Sequence, residues 1–126
     1  MGITVVWDDD AKSIIRWDFE GYWTWEDFQA GVEQSLEMAQ SVTHRIDVIP
    51  DATGTEHLSP GALPQFRHVF EVSPPHLRLM VITGANPFAQ AIVNVFIRLN
   101  RISNWRIAKT LDEARAIIAQ DREDSQ

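Results

Sequence analysis

The side chains able to carry chemistry in this chain are few: four histidines, His44, His57, His68 and His76, with Asp47, Asp51, Glu56 and Ser59 near them in sequence. General acid and base work needs a proton carrier within hydrogen-bond reach of the group it serves. Glu56 and His57 are adjacent, so on any regular element they point in different directions. No two histidines stand at a metal-binding spacing such as His-x-x-x-His. Ser59 lacks the Gly-x-Ser-x-Gly elbow of a hydrolase nucleophile, and Thr53-Gly54-Thr55 is too short to cradle phosphates. An enzyme built from Asp51, His57 and Ser59 would need the three to converge around one pocket. The acid run Asp8-Asp9-Asp10 lacks the spacing and turn glycine of a calcium loop and reads as turn chemistry. The expectation is a chain with no catalytic residues, no metal and no cofactor.

Composition narrows the classes further. Zero cysteines exclude thiol catalysis, iron–sulfur clusters and thiolate zinc sites. The chain has 126 residues, 44% of them hydrophobic and 23% charged, as expected for one globular domain with its own core. No apolar stretch approaches a transmembrane span, and the start lacks a basic segment followed by an apolar one, so a cytoplasmic protein is expected. A net charge of -7 opposes nonspecific attraction to nucleic acid or anionic lipid. That charge is uneven: residues 1 to 57 carry twelve acids and three bases, residues 58 to 126 six acids and eight bases.

The elements that must position these groups follow from periodicity. Ile3, Val5 and Trp7 alternate, as do Ile15, Trp17 and Phe19, which predicts two strands paired as an antiparallel hairpin. Thr24 caps a helix from about Trp25, whose core stripe is Trp25, Phe28, Val32, Leu36 and Ala39. Residues 45 to 51 read as a third strand ending at Pro50, followed by a loop from Ala52 to Leu58. Ser59-Pro60 supplies a cap and a first-turn proline for a second helix with the stripe Ala62, Phe66, Val69 and Phe70. Leu77 to Ile82 is almost continuously apolar, as in a parallel strand covered on both faces, and is taken as the central strand. Asn86-Pro87 caps a third helix reaching about Ile102, and residues 104 to 109 form a last strand. Thr110-Leu111-Asp112-Glu113 opens a final helix through Ile118. The order calls for an α/β domain over residues 1 to 120, with a mixed sheet of about five strands, an initial antiparallel hairpin and four helices. A polar, frayed C-terminal tail over residues 121 to 126 completes the chain.

This order resembles the STAS fold, and within it the small stand-alone SpoIIAA-like proteins of bacteria. The likeness covers nearly the whole chain. It is carried by Asp18-Phe19-Glu20-Gly21, Trp23-Thr24-Trp25-Glu26-Asp27-Phe28, the strand ending at Asp51, and Thr110-Leu111-Asp112-Glu113-Ala114. It implies a non-catalytic interaction module that binds a protein partner or itself in bacterial regulation. Phosphorylated members of that family carry an Asp-Ser-Ser/Thr-Gly element after the third strand. Laying Asp51 on the family's aspartate puts Ser59-Pro60-Gly61-Ala62 there, with Pro60 at the acceptor position, where no phosphate can be taken. Ser59 alone keeps a hydroxyl as a phosphorylation candidate, and capping explains that hydroxyl equally well. The fold also resembles lipid-transfer domains, so a small apolar ligand held by Trp23, Trp25 and Trp105 is the alternative to those tryptophans simply closing the core.

A partner surface is expected on the third helix. There Phe88, Ile92, Val95, Phe96 and Leu99 form an inward stripe, and Ala89, Val93 and Ile97 a second apolar line about 100° around the axis. The expectation is a protein or homodimer contact through Val93 and Ile97, rimmed by Arg98 and Arg101, unless the loop after the central strand or the last helix covers them.

Overall fold

The computed structural model describes residues 2–56 and 59–125. In chain order its elements are β1 (Ile3–Trp7), β2 (Ile14–Glu20), α1 (Trp25–Gln40), β3 (Ile46–Gly54), α2 (Ala62–Val72), β4 (Leu77–Thr83), α3 (Pro87–Leu99), β5 (Trp105–Ala108) and α4 (Leu111–Asp124). The five strands form one sheet in the order β1-β2-β3-β4-β5. β1 runs antiparallel to β2, with Ile3 opposite Phe19 and Trp7 opposite Ile15, and the other neighbours are parallel. The α/β class and the mixed sheet with its opening hairpin are as the periodicity predicts. Among the described residues no helix is long and apolar enough to cross a membrane.

Each parallel strand is added on the same side of its predecessor, so right-handed crossovers put their helices on one face. Phe28 and Ala39 of α1, Leu63 and Phe66 of α2 and Val93 of α3 accordingly share one core with Ile15, Trp17, Ile46, Val48, Met80 and Ile82. α4 alone covers the other face, where Ala114 and Ile118 pack on Ile14, Ile49, Leu79, Val81 and Ala108.

Several local expectations are corrected. β3, not β4, is the central strand. The apolar run in β4 reports coverage by helices on both faces, which a strand next to the centre shares. β3 also continues through Pro50 to Gly54, because the proline removes one ladder donor while Ile49 stays paired with Arg16 and Asp51 with Asp18 and Thr83. α1 buries Gly31, Ser35 and Met38 beside Phe28 and Ala39 and leaves Trp25 exposed. The helix is rotated because it crosses Trp17 so closely that a Cβ at Gly31 would lie 2.9 Å from the indole. α2 starts at Ala62 after a Ser59-Pro60-Gly61 turn, and α3 stops at Leu99 rather than near Ile102. The Thr24 and Thr110 caps are in place: Thr24 exchanges hydrogen bonds with Asp27, and the Thr110 hydroxyl accepts from the Glu113 amide.

The polar tail is helix as far as Asp124, for an electrostatic reason. Asp47, with 0% of its side chain exposed, accepts from the Leu79 amide at 2.9 Å and from the guanidinium groups of Arg45 and Arg122 at 2.9–3.2 Å. Arg45 also bridges to Asp121 at 2.7 Å, so two residues of the last turns of α4 are tied to β3. Just past the end of β1, the Asp8 carboxylate accepts from Arg16 at 2.7 Å and from Arg115 at 2.8 and 2.9 Å. Asp9 serves the hairpin turn instead, accepting from the amides of Ser13 and Ile14.

The Asp8 site predicts acid sensitivity. The hydrogen bonds from Arg115, and then those from Arg16, hold the Asp8 carboxyl below the ordinary carboxylate range despite its burial. A depressed native pKa gives stability that is present above the unfolded-state value, about 4, and is lost as pH falls through the native value. Urea unfolding from pH 7 downward should therefore show stability falling below about pH 4. Asp8→Asn should be less stable at pH 7 by about 1–2 kcal/mol and fall less steeply in acid. Equal acid slopes for the two proteins would refute this role for Asp8.

Candidate functional site

In an open parallel sheet the crevice beyond the carboxyl ends of the strands is where ligands usually bind. Here the ends of β3 and β4 bring Asp51, Thr53, Thr55, Glu56 and Asn86 to that edge. Their polar groups are largely engaged in tying the loops together. Asp51 accepts from the Thr53 amide at 3.0 Å and its hydroxyl at 2.6 Å, and the Thr55 hydroxyl donates to the Gly21 carbonyl at 2.6 Å. Gly84, at φ +73°, passes so close to Thr53 that a Cβ there would clash with its backbone and hydroxyl. The Ser59 hydroxyl, three residues ahead of α2, accepts from the Gly61 amide at 3.3 Å and so does not cap the helix as expected. His57 lies outside the described residues, as does Leu58. Among the described residues Asp51 and Ser59 spend these bonds on different partners. His44 and His76 donate through Nε2 to the carbonyls of Lys12 and Ala39, holding loops together.

The three tryptophans assigned to an apolar ligand do not gather. Trp23 and Trp25 meet edge to face, 5.1 Å between ring centroids, in a cluster with Phe19, Phe28, Phe66 and Trp17 at the start of α1. Trp105 opens β5, at the opposite end of the parallel strands, and stacks on Phe96 at 5.6 Å. The indole N–H groups of Trp17 and Trp23 are buried without an acceptor among the described residues.

The third helix carries the extended apolar surface that sequence periodicity singled out, but turned so that a different part of it is exposed. α3 is set by the Asn86 side chain, which accepts from the Ala89 amide at 2.9 Å, and by Pro87 in its first turn. Val93 is 1% exposed and belongs to the core, with Ile92, Phe96 and Ile97 packed around it. Phe88, Val95 and Leu99 are 76%, 47% and 79% exposed. The expected contact through Val93 and Ile97 is therefore corrected: Val93 faces α2 and the sheet with Ile97 half-buried beside it, and of the line expected inside Phe88, Val95 and Leu99 face outward while Ile92 and Phe96 pack against the core. The cause is coverage from a neighbour, since Pro60 and Leu63 at the start of α2 lie against Ala89, Ile92 and Val93. Periodicity shows that two apolar lines exist, and it does not show which one α2 approaches. Arg98 and Arg101 are exposed at the helix end.

On the outward line, Phe88, Ala91, Ile92 and Val95 form an open recess of about 250 Å³. Beside it, a groove of about 120 Å³ runs between Phe88, Ala89 and Ile92 and the residues Ala52, Glu56, Pro60 and Asn86. At the far end of α3, Arg67 of α2 donates to the Asn100 side chain at 2.8 Å. The surface thus has an apolar centre, an acid at one end and a base at the other on the α2 side. Monomeric proteins rarely leave large apolar side chains aligned in this way unless something docks there. No protein-family model matches the chain, and no curated protein matches it, so this surface rests on its own geometry.

Proposed function

We propose that this chain is a non-catalytic, STAS-like interaction module of bacterial regulation, working in the cytoplasm and docking a protein partner through the outer face of α3. The observation that carries the reading is the alignment of Phe88, Val95 and Leu99, all exposed, on a helix with a single charged side chain, Arg98. Interfaces concentrate their energy in such apolar and aromatic anchors and place charge at the rim. The STAS likeness adds to it the element order and the caps at Thr24 and Thr110. Phosphorylation at Ser59 is not needed by this reading.

Native mass spectrometry of the chain purified from its own cells tests the reading. A stoichiometric protein assembly is expected, and Phe88→Asp should abolish it while the circular dichroism spectrum stays native. A bare monomer would overturn the reading, and a monomer retaining an apolar small molecule would replace it with a carrier function.

A further inference from the structure

Resting on α3 as the docking surface, we propose that its occupant is a second copy of this chain, joined about a two-fold axis with the two α3 helices antiparallel. Phe88, Ile92, Val95 and Leu99 are spaced four, three and four apart, the seam spacing of helices that pack along their length. The spacing reads the same from either end. A two-fold axis crossing between Ile92 and Val95 sets Phe88 of each copy against Leu99 of the other, and Ile92 against Val95, as an isologous contact requires. Ala91, small and exposed beside the axis, leaves room for the backbones to approach.

Charge selects the antiparallel direction. A parallel pairing would set Arg98 against Arg98, whereas the antiparallel one separates them by about nine residues of helix, roughly 13 Å at 1.5 Å per residue. The α2 flank adds complementarity. Glu56 lines the groove at the N-terminal end of α3, and Arg67 reaches its C-terminal end. A two-fold axis perpendicular to antiparallel helices keeps each flank facing the same flank of its partner and exchanges the ends. Glu56 of each copy therefore meets Arg67 of the other, twice per dimer. To reach it Arg67 exchanges an exposed hydrogen bond to Asn100 and a long contact of 3.9 Å to Glu71 for a full ion pair.

Sedimentation velocity of the purified whole chain at rising concentration tests this. The expected species has twice the 14.4 kDa chain mass. Leu99→Asp should weaken association by roughly thirtyfold or more, as loss of an apolar anchor does, with a native circular dichroism spectrum. Glu56→Arg and Arg67→Glu should each weaken the dimer, and the two together should restore it. A monomer at the highest soluble concentration, or a dimer indifferent to Leu99→Asp, overturns the proposal. Charge exchange without mutual rescue overturns the antiparallel arrangement. If the purified chain is monomeric while the chain from its own cells sits in a hetero-assembly sensitive to Phe88→Asp, the second copy is wrong and the interaction reading stands. A monomer in both settings ends both.

Discussion

Asp47→Ala is expected to lower the stability of this domain by about 3–5 kcal/mol, the range seen when one member of a buried ion pair is removed. The carboxylate is fully buried and accepts from Arg45, from Arg122 and from the Leu79 amide. Its removal strands a buried backbone donor in the sheet and leaves two guanidinium groups facing each other. Arg45 and Arg122 are 21% and 30% exposed, so water relieves part of their desolvation and the lower half of the range is expected. Against a typical domain stability of roughly 5–15 kcal/mol this is a large share, and the thermal midpoint should fall by ~10 °C or more. Asp47→Asn, which retains an acceptor for Leu79, should lie between wild type and alanine. A midpoint for Asp47→Ala within about two degrees of wild type, well under the shift for 1 kcal/mol, would show that this network does not hold α4 to the sheet.

Val93→Asp is expected to unfold the protein outright or nearly so. The side chain sits on the inner line of α3 with Leu63 and Ile92 close by, and a carboxylate there would lose its hydration without gaining a partner. Such burial costs several kcal/mol even when the group protonates instead of remaining charged. Leu99→Asp, six residues along the same helix, should change the stability of the single chain, measured at concentrations dilute enough to keep wild type monomeric, by only about 0.5 kcal/mol, because exposed positions tolerate charge. Circular dichroism melts of the two variants separate the two faces of α3 directly. A cooperative native melt for Val93→Asp together with loss of fold for Leu99→Asp would mean that the helix faces the other way.

Much of the fold was legible because local chemistry announces it. The alternation of Ile3, Val5 and Trp7 and of Ile15, Trp17 and Phe19 placed the hairpin strands. Thr24 and Thr110 fixed the starts of α1 and α4 through side-chain oxygens that meet orphan amides within three residues. The continuous apolar run from Leu77 identified a doubly covered strand. Errors arose where the deciding partner is distant in sequence. Pro50 reads as a strand end, yet parallel pairing on both flanks carries β3 past it. Residues 121 to 124 read as a frayed polar tail, yet Asp121 and Arg122 meet Arg45 and Asp47 about 75 positions earlier.

The candidate site shows the same division. Composition and spacing determined that the chain has no cysteine chemistry and that α3 bears two apolar lines with almost no charge between them. Only the tertiary structure decided which line is exposed. A helix with apolar residues over most of its circumference can turn either line inward at similar cost from its own sequence alone. The choice belongs to the neighbour, because the start of α2 covers Val93 and leaves Phe88, Val95 and Leu99 to solvent. Likewise the sequence determined the charges of Asp8 and Asp47, while folding alone brought Arg115 and Arg122 to them from α4. Helix capping and strand alternation act within a few residues, so sequence reports them. Face selection and ion pairing across the sheet depend on three-dimensional proximity, which only the packing of distant segments creates.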